Sequence, residues 1–201
     1  MAKIKLTKTE LKAQTDALKR FQRFLPMLQL KKQQLQGEIA GIVQKAEETS
    51  AKERAIRADL DRWVGLFATD EDLIAGLVKV REVKTGTANV AGVAIPTFER
   101  IDTDVKEVDT WSTPAWVDNA VETTTQILSL QCERAIYDEQ RRLVEMELQL
   151  TSQRVNLFEK VKIPECKEAI RRIKIAIGDE QTAAVTRGKI AKGRVPQEDA
   201  A

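Results

Sequence analysis

The 201-residue sequence has no histidine, only two cysteines and few aromatic residues. The absence of histidine excludes histidine metal sites, Ser-His-Asp and Cys-His nucleophiles, and acid–base catalysis by histidine. Cys132 and Cys166 are too few for a disulfide framework. On one helix they would lie roughly 50 Å apart, too far for a bridge. An aromatic share of 4% argues against a large aromatic-rich sandwich or barrel. These absences favour a helical protein in a reducing compartment.

Long apolar runs are also lacking. No segment approaches the roughly 18 consecutive apolar residues that a membrane-spanning helix needs. The lysines at positions 3, 5 and 8 are not followed by the apolar stretch of a signal peptide. We therefore expect an intracellular protein with no segment inserted in a membrane.

A heptad pattern dominates the first third of the chain. Twelve of fifteen positions spaced alternately three and four residues apart are apolar. These positions are Leu18, Phe21, Leu25, Leu28, Lys32, Leu35, Ile39, Ile42, Ala46, Thr49, Glu53, Ile56, Leu60, Trp63 and Phe67. A register this long predicts a coiled-coil helix over about residues 8–66, roughly 90 Å long. Lys32 and Glu53 either tolerate a poorly covered seam or fix the register of the pairing.

Pro26 interrupts this pattern. Proline removes a helical hydrogen bond and clashes with the preceding turn. Because the heptads continue on both sides, we expect a kink near Pro26; the alternative is a helix ending at Phe24 and a new one with Pro26 in its first turn.

The last third is predicted to be a second long helix, over residues 114–193. Ile136, Leu143, Leu150 and Leu157 are spaced by seven, and a second series continues in a shifted register. That series consists of Ile163, Ile170 and Ile177. The register changes beside Pro164, which predicts a kink there. We expect a disordered tail over residues 194–201.

The middle segment, residues 67–113, has a different character. Two β-branched runs, from Leu77 and from Val90, predict a β-hairpin with a turn at residues 85–89 and a second strand ended by proline. The predicted turn-region residues are Gly86, Asn89, Gly92 and Pro96. The predicted fold is mainly α: two long helices, 1–66 and 114–193, form an antiparallel coiled-coil hairpin around a small α/β insert.

Charge is unevenly distributed although the net charge is only +2. Residues 1–32 have a balance of +7, and residues 61–120 a balance of −5. Antiparallel pairing would bring the basic chain ends together at one tip. We expect this basic tip to contact acidic faces of a partner protein. Our candidate contacts are Lys8, Lys12, Lys19, Arg20, Arg23, Arg187, Lys189 and Lys192.

Motifs for chemistry are missing. The sequence has no G-x-x-x-x-G-K-[ST] phosphate loop, no G-x-G-x-x-G dinucleotide motif and no C-x-x-C pair. The acidic run at residues 70–72 is better explained by a helix N-terminus than by metal ligands. We therefore expect no catalytic site, no metal and no cofactor on this chain.

Three stretches match one family in order and spacing. The first helix contributes residues 5–8, Lys-Leu-Thr-Lys, and the middle contributes residues 89–96, Asn-Val-Ala-Gly-Val-Ala-Ile-Pro. The most specific stretch is residues 154–160, Arg-Val-Asn-Leu-Phe-Glu-Lys, followed by Ile-Pro. Its key positions are Arg154, Val155, Asn156, Phe158, Ile163 and Pro164. On these residues the sequence resembles the D subunit of V-type and A-type rotary ATPases, in the short bacterial V-type form.

The resemblance implies a central rotor shaft without a catalytic site of its own. In that family the tip with both termini enters a head of alternating A and B subunits, which bind and hydrolyse ATP. The middle lies near the small F subunit, called G in some bacteria, and the funnel-shaped subunit on the membrane ring. Rotation couples ATP hydrolysis or synthesis to proton or sodium movement at the cytoplasmic face of the membrane.

Three other classes share parts of the pattern. The γ subunit of F-type ATPases also has two coiled-coil helices, but its middle domain is larger than the segment available here. A cytosolic coiled-coil adapter or chaperone would share the helical hairpin but would have no reason to carry the family-specific sequence at residues 154–164. A nucleic-acid-binding coiled coil would bind in a strongly salt-dependent way, but the sequence has no reading motif and we expect no nucleic-acid partner.

Overall fold

The structure, a computed structural model, describes residues 5–62, 77–106 and 116–194. Helix α1 spans Lys8–Leu60, strands β1 and β2 span Val78–Val90 and Val93–Val105, and α2 spans Trp116–Leu157. A π-helical turn, Phe158–Lys162, leads into α3, Ile163–Arg194. The predicted fold class is confirmed: the chain has two long helical segments, with one small antiparallel hairpin between them in the sequence.

The chain divides into two compact units. The terminal unit consists of Met1–Leu30 and Thr151–Ala201, and the central unit is Lys31–Leu150. The sequence-based boundaries at residues 66, 113 and 193 remain predictions, because 63–76, 107–115 and 195–201 lie outside the described residues.

The heptad register of α1 is confirmed over the described positions. From Leu18 to Leu60 every heptad position is buried or half-buried, and Leu35 and Ile42 are fully in the core. The last two positions, Trp63 and Phe67, lie outside the described residues. The helix begins after Thr7, whose Oγ1 accepts a hydrogen bond from the Glu10 backbone N–H at 3.3 Å.

Pro26 lies inside α1, which continues unbroken from Lys8 to Leu60. The alternative of two separate helices meeting at this proline is therefore wrong. Seam residues on both sides, Leu25 and Leu28, keep their half-buried positions. Their burial favours continuation of the helix against the roughly 3 kcal/mol that an internal proline costs.

Two cross-helix contacts show that α1 and α2 run antiparallel in the central unit. Lys31 Nζ lies 2.6 Å from Glu147 Oε1, and Gln131 Nε2 donates to Glu53 Oε1 at 3.0 Å. From Lys31 to Glu53 the residue number rises along α1, whereas the number of the α2 partner falls from 147 to 131. The two helices therefore run in opposite directions. Glu53 is buried and also pairs with Arg57 at 2.8 Å. A buried carboxylate with one partner on the facing helix supports the register-fixing interpretation of this heptad position.

The hairpin is longer than the sequence indicated, and its turn lies elsewhere. β1 and β2 pair antiparallel, with Val90 opposite Val93, so the connection is Ala91-Gly92. Both turn residues have positive φ, 50° and 84°, as in a type I′ turn. The Asn89 side chain supports it by accepting from the Gly92 N–H at 2.9 Å. The predicted turn at residues 85–89 is therefore wrong, although Gly92 does lie in the turn.

Gly86 and Pro96 lie within strands instead of at turns. A Cβ at Gly86 would come within 2.7 Å of Glu99 Oε1, so glycine there permits a close cross-strand approach. Pro96 lies opposite Thr87 inside β2 and does not end the strand. A two-stranded ribbon tolerates proline because one side of each strand faces no neighbouring strand.

The turn end of the hairpin packs against the helix pair of the central unit. Its core contains Leu35, Ile42, Ile95 and Val144, all buried. Half-buried apolar residues of both strands and both helices surround them, among them Ala88, Val90, Val93, Ile39, Tyr137 and Leu143. Residues 88, 90, 93 and 95 share one face of the ribbon, because side chains alternate along each strand and the two-residue turn keeps the phase.

The buried positions of the second helical segment agree with the prediction in part. Ile136 is buried, Leu143 packs half-buried on the central core, and Ile163, Ile170 and Ile177 are half-buried. Leu150 and Leu157 are exposed, while Val144, Thr151 and Val155 are buried. The predicted stripe therefore follows the seam at Ile136 and Leu143 and leaves it at Leu150 and Leu157. The seam itself includes the polar residues Gln140 and Thr151, which a count of apolar residues does not detect.

The register change near Pro164 occurs without an end to the helix. The five-residue π turn precedes Ile163, whose N–H donates to the Phe158 carbonyl five residues earlier. A helical proline clashes with the carbonyl four residues before it, here that of Lys160. Because Lys160 lies inside the wider turn, the π geometry accommodates Pro164.

The end of α3 has no packing support among the described residues. Every residue from 178 to 193 is exposed, and we call this part the exposed helical segment. Its hydrogen bonds from side chains are local: the hydroxyls of Thr182 and Thr186 donate to carbonyls four residues earlier, at 3.0 Å each.

Thr151 is buried with an unsatisfied hydroxyl, the only such side-chain atom among the described residues. We expect Thr151→Val to raise the free energy of unfolding by up to about 1 kcal/mol, since it removes an unpaired buried polar group and keeps the shape. Thr125→Val is the matched control, because that hydroxyl donates to the Val121 carbonyl at 2.8 Å and its loss should not stabilise. Urea unfolding of both variants checks this, and a stabilised control would contradict the explanation.

Candidate partner-binding surfaces

Basic residues are concentrated in the terminal unit. Its described residues include 17 Lys and Arg against 7 Asp and Glu, whereas those of the central unit include 15 against 17. The terminal unit therefore has a strong positive potential that the rest of the described chain lacks.

All eight predicted contact cations lie in the terminal unit. Lys8, Lys12, Lys19, Arg20 and Arg23 are on α1, and Arg187, Lys189 and Lys192 are on the exposed helical segment. Every one of them is exposed.

None of these eight side chains forms an ion pair with a residue in the described ranges. Arg187 Nε donates only to the Ala183 carbonyl, at 3.3 Å. Other cations of the chain are paired: Lys31, Lys84 and Arg142 lie 2.6–2.8 Å from carboxylates. Exposed cations without an internal partner are available to carboxylates of another protein.

The family-specific stretch of the last helix lies around the π turn. Val155 is buried, Ile163 is half-buried, and Arg154, Asn156 and Pro164 are exposed. Phe158 is half-buried and contacts Phe21 of α1, with ring centroids 5.0 Å apart and planes tilted by 54°. This aromatic pair joins the two helical segments within the terminal unit.

Exposed apolar residues near this contact were not identified from the sequence. Phe24, Met27 and Leu30 on α1 and Leu157 and Val161 on the other segment are all exposed. A signal was present, because residues 24–30 carry no charge at all. The heptad pattern identifies only the seam positions and gives no information about the outer side of the helix.

Gln140 is a further residue that the sequence analysis did not identify. It is buried, and its Nε2 donates to the Pro96 carbonyl, which ties α2 to the hairpin. The side chain thereby supplies a hydrogen-bond donor to a strand carbonyl that would otherwise be unpaired. Gln140 lies four residues after Ile136 and four before Val144, so it shares a helix face with two apolar residues. This spacing was the signal in the sequence.

Glu168 is the most strongly perturbed acid in this unit. Hydrogen bonds from Arg171 and Arg172, at 2.8–3.0 Å, lower the pKa of its carboxyl from 4.5 to about 2. Because the folded pKa is below the unfolded one, the stabilisation is complete above about pH 4.5 and is lost as pH falls towards 2.

We therefore expect Glu168→Gln to weaken the acid dependence of stability between about pH 5 and 2. The measurement is the unfolding midpoint as a function of pH, for the parent and the variant. Replacing Arg171 and Arg172 together by glutamine should have the same effect. Identical pH slopes in the parent and both variants would contradict the role of this cluster.

Among the residues described, no helix combines the length and hydropathy needed to cross a lipid bilayer.

The surface features described above are those of protein-binding surfaces. They are unpaired cations, an exposed apolar group beside an aromatic contact, and a hairpin docked on two helices. Cations and apolar side chains at one surface are complemented by carboxylates and apolar side chains of another protein.

Comparisons with known proteins agree with this geometry. The family model described as the ATP synthase D subunit matches residues 10–193. A V-type ATP synthase D subunit from Borreliella burgdorferi is 44% identical over 192 residues, covering 96% of this chain and 95% of the relative. Those from Chlamydia caviae and Chlamydia felis are 30% and 31% identical over 198 residues, covering 98% of this chain and 95% of each relative. The chain therefore belongs to the family of ATP synthase D subunits.

Proposed function

We propose that this chain is the central rotor shaft of a V-type ATPase or ATP synthase. It would couple ATP hydrolysis or synthesis in a head of A and B subunits to proton or sodium movement. The observation that carries the proposal is the set of eight exposed cations without ion pairs in the described ranges, gathered in one unit of a D-subunit family member. Exposed ion pairs of about 0–1 kcal/mol each would hold the head while still permitting rotation.

The rest of the molecule fits a shaft. Antiparallel helices with a buried, register-fixing Glu53 would transmit torque, and the hairpin docked on them would offer a second contact region. We propose the small F subunit of the stalk and the funnel-shaped subunit as the partners of that region. The chain would contribute no catalytic residue, and it would lie on the cytoplasmic face of the membrane as part of the complex.

The domain boundaries follow the same proposal. Residues 1–66 and 114–193 would form the shaft, residues 67–113 the insert and residues 194–201 a disordered tail.

Native mass spectrometry tests the assignment. The chain is mixed with A, B and F subunits from the same organism, and ATPase activity is measured in parallel. We expect one copy to join three A subunits, three B subunits and one F subunit and to change the rate of ATP turnover. If the chain stays outside the head, while a D subunit of known membership joins its own head under the same conditions, the adapter alternative replaces the rotor assignment.

A further inference from the structure

Three arginines of the central unit line one cleft between α1 and α2, which we call the arginine cleft. Its walls are formed by Glu47, Ser50, Glu53, Arg54 and Arg57 of α1 and by Arg134 of α2. The volume of about 360 Å³ is within the range of small-molecule sites, about 300–1,000 Å³. The described residues of this unit include 15 Lys and Arg against 17 Asp and Glu, so three arginines in one cleft are a local concentration of positive charge.

The α1 wall of the arginine cleft follows from the heptad pattern. Residues three and four apart share one face of a helix, so positions 47, 50, 54 and 57 form a stripe along α1. Each of these positions directly follows a seam position of the heptad series between Ala46 and Ile56. The stripe therefore borders the seam, and Arg134 of α2 lies on the opposite wall.

Two of the three arginines are held in place by carboxylates. Arg57 Nη2 lies 2.8 Å from Oε1 of the buried Glu53. Arg54 Nη2 lies 2.7 Å from Glu47 Oε1, and Arg54 Nε donates to the Ser50 carbonyl at 3.3 Å. Because a guanidinium group has five N–H donors, each of these arginines keeps at least three donors for a ligand.

Arg134 brings the third positive charge to the cleft. It is exposed and forms no ion pair or hydrogen bond with a residue in the described ranges. The two carboxylates of the cleft are already paired with Arg54 and Arg57. Repulsion among the three guanidinium groups is relieved when an anion lies between them, so the cleft favours an anionic ligand.

We propose that the arginine cleft binds a phosphate group, either as a free anion or as part of a nucleotide. Guanidinium groups bind phosphate oxygens through paired N–H donors. The donors come from two helices, with Arg54 and Arg57 on one wall and Arg134 on the other. A tetrahedral phosphate directs its oxygens towards both walls, whereas the two oxygens of a carboxylate lie in one plane. The proposal is independent of the rotor assignment, because every residue of the site belongs to this chain.

An adjoining cleft of about 120 Å³ provides the means to separate the two sources of phosphate. It shares part of its wall with the arginine cleft, including Arg134, and its other lining residues include Ile42, Val43, Ala46 and Tyr137. Aromatic and apolar side chains offer a nucleobase a surface for stacking, which is worth about 1–3 kcal/mol per base on an aromatic ring. A free phosphate anion makes no such contact, so only a nucleotide would gain from this second cleft.

Isothermal titration calorimetry of the full chain tests the ligand class. The probes are pyrophosphate, ADP and citrate, each without a divalent cation. We expect one pyrophosphate site with a Kd of about 1 mM or lower, and at least about fivefold weaker binding of citrate, whose charges lie on planar carboxylates. ADP that binds at least about tenfold more tightly than pyrophosphate identifies a nucleotide site. ADP that binds no more tightly identifies a site for the free anion.

Removal of two arginines tests the location of the site. Arg54→Gln with Arg134→Gln should weaken pyrophosphate binding at least about tenfold. Arg57 is kept, because its loss would leave the buried Glu53 without this partner. The matched control is Arg81→Gln with Arg100→Gln, which removes two exposed arginines of the hairpin and should change the Kd less than about twofold. Circular dichroism verifies that both variants remain helical.

Three results would overturn the proposal. The first is a parent chain that shows no saturable binding of pyrophosphate, and the second is citrate binding as tight as that of pyrophosphate. The third is an equal loss of affinity in the two double variants, because that would show nonspecific attraction to the whole chain. Assembly with the A, B and F subunits is measured separately, so failure here leaves the rotor assignment intact.

Discussion

Leu35→Ala is expected to lower the free energy of unfolding by about 3 kcal/mol. Leu35 is 0% exposed and belongs to the buried cluster with Ile42, Ile95 and Val144. Truncation of a buried leucine removes transfer free energy and leaves a cavity, at a cost of about 2–5 kcal/mol. Because helix and hairpin residues share this cluster, hydrogen exchange of the hairpin amides should accelerate as well.

Leu150→Ala is the matched control for this prediction. It is the same substitution in the same unit, but Leu150 is 47% exposed and should cost less than about 1 kcal/mol. Urea unfolding of the two variants gives both values. Equal losses would contradict the observed seam and restore the register in which Leu150 is a core residue.

Reversing the five cations of α1 is expected to weaken binding to the A/B head about 100-fold. The variant combines Lys8→Glu, Lys12→Glu, Lys19→Glu, Arg20→Glu and Arg23→Glu. Five exposed ion pairs at about 0.5 kcal/mol each amount to about 2.5 kcal/mol, which corresponds to a factor just below 100. None of these side chains has an ion pair among the described residues, so the fold should tolerate the change.

The control variant reverses five exposed cations of the central unit. They are Lys45, Lys52, Lys79, Lys106 and Arg134, each replaced by glutamate. The overall charge change is identical, so nonspecific electrostatics would weaken both variants equally. Affinity for the A/B head and ATP turnover are measured as a function of salt. Equal loss in the two variants, or parent-like binding of the first, contradicts the predicted contact surface.

The fold could be predicted where burial and apolarity coincide. On α1 ten of the thirteen described heptad positions are apolar, so the regular spacing also identified the polar positions Lys32, Thr49 and Glu53. On α2 the seam includes Gln140 and Thr151, and exposed Leu150 and Leu157 lie beside it. Hydrophobic spacing therefore selects the seam correctly at Ile136 and Leu143 but leaves it at Leu150 and Leu157, where the buried positions are Thr151 and Val155.

The hairpin turn was misplaced for a different reason. Gly86 and Asn89 have the composition of a turn, but Gly86 serves a close cross-strand approach and Asn89 supports the turn from outside it. The actual turn places Ala91 at positive φ, where alanine is rarely found. The Gln140 contact depends on how the hairpin docks on the helices, which no local pattern encodes.

The exposed helical segment has a consequence for affinity. A helix without tertiary contacts depends on intrinsic propensity alone, and short helices of this kind are marginal in water. Gly178 and Gly188 lower that propensity further, by about 1 kcal/mol each relative to alanine. Arg187, Lys189 and Lys192 therefore lie on a helix that is only marginally stable by itself. If the proposed partner contacts these cations, part of the attraction would be offset by the cost of ordering the helix, and the affinity of this segment would be modest.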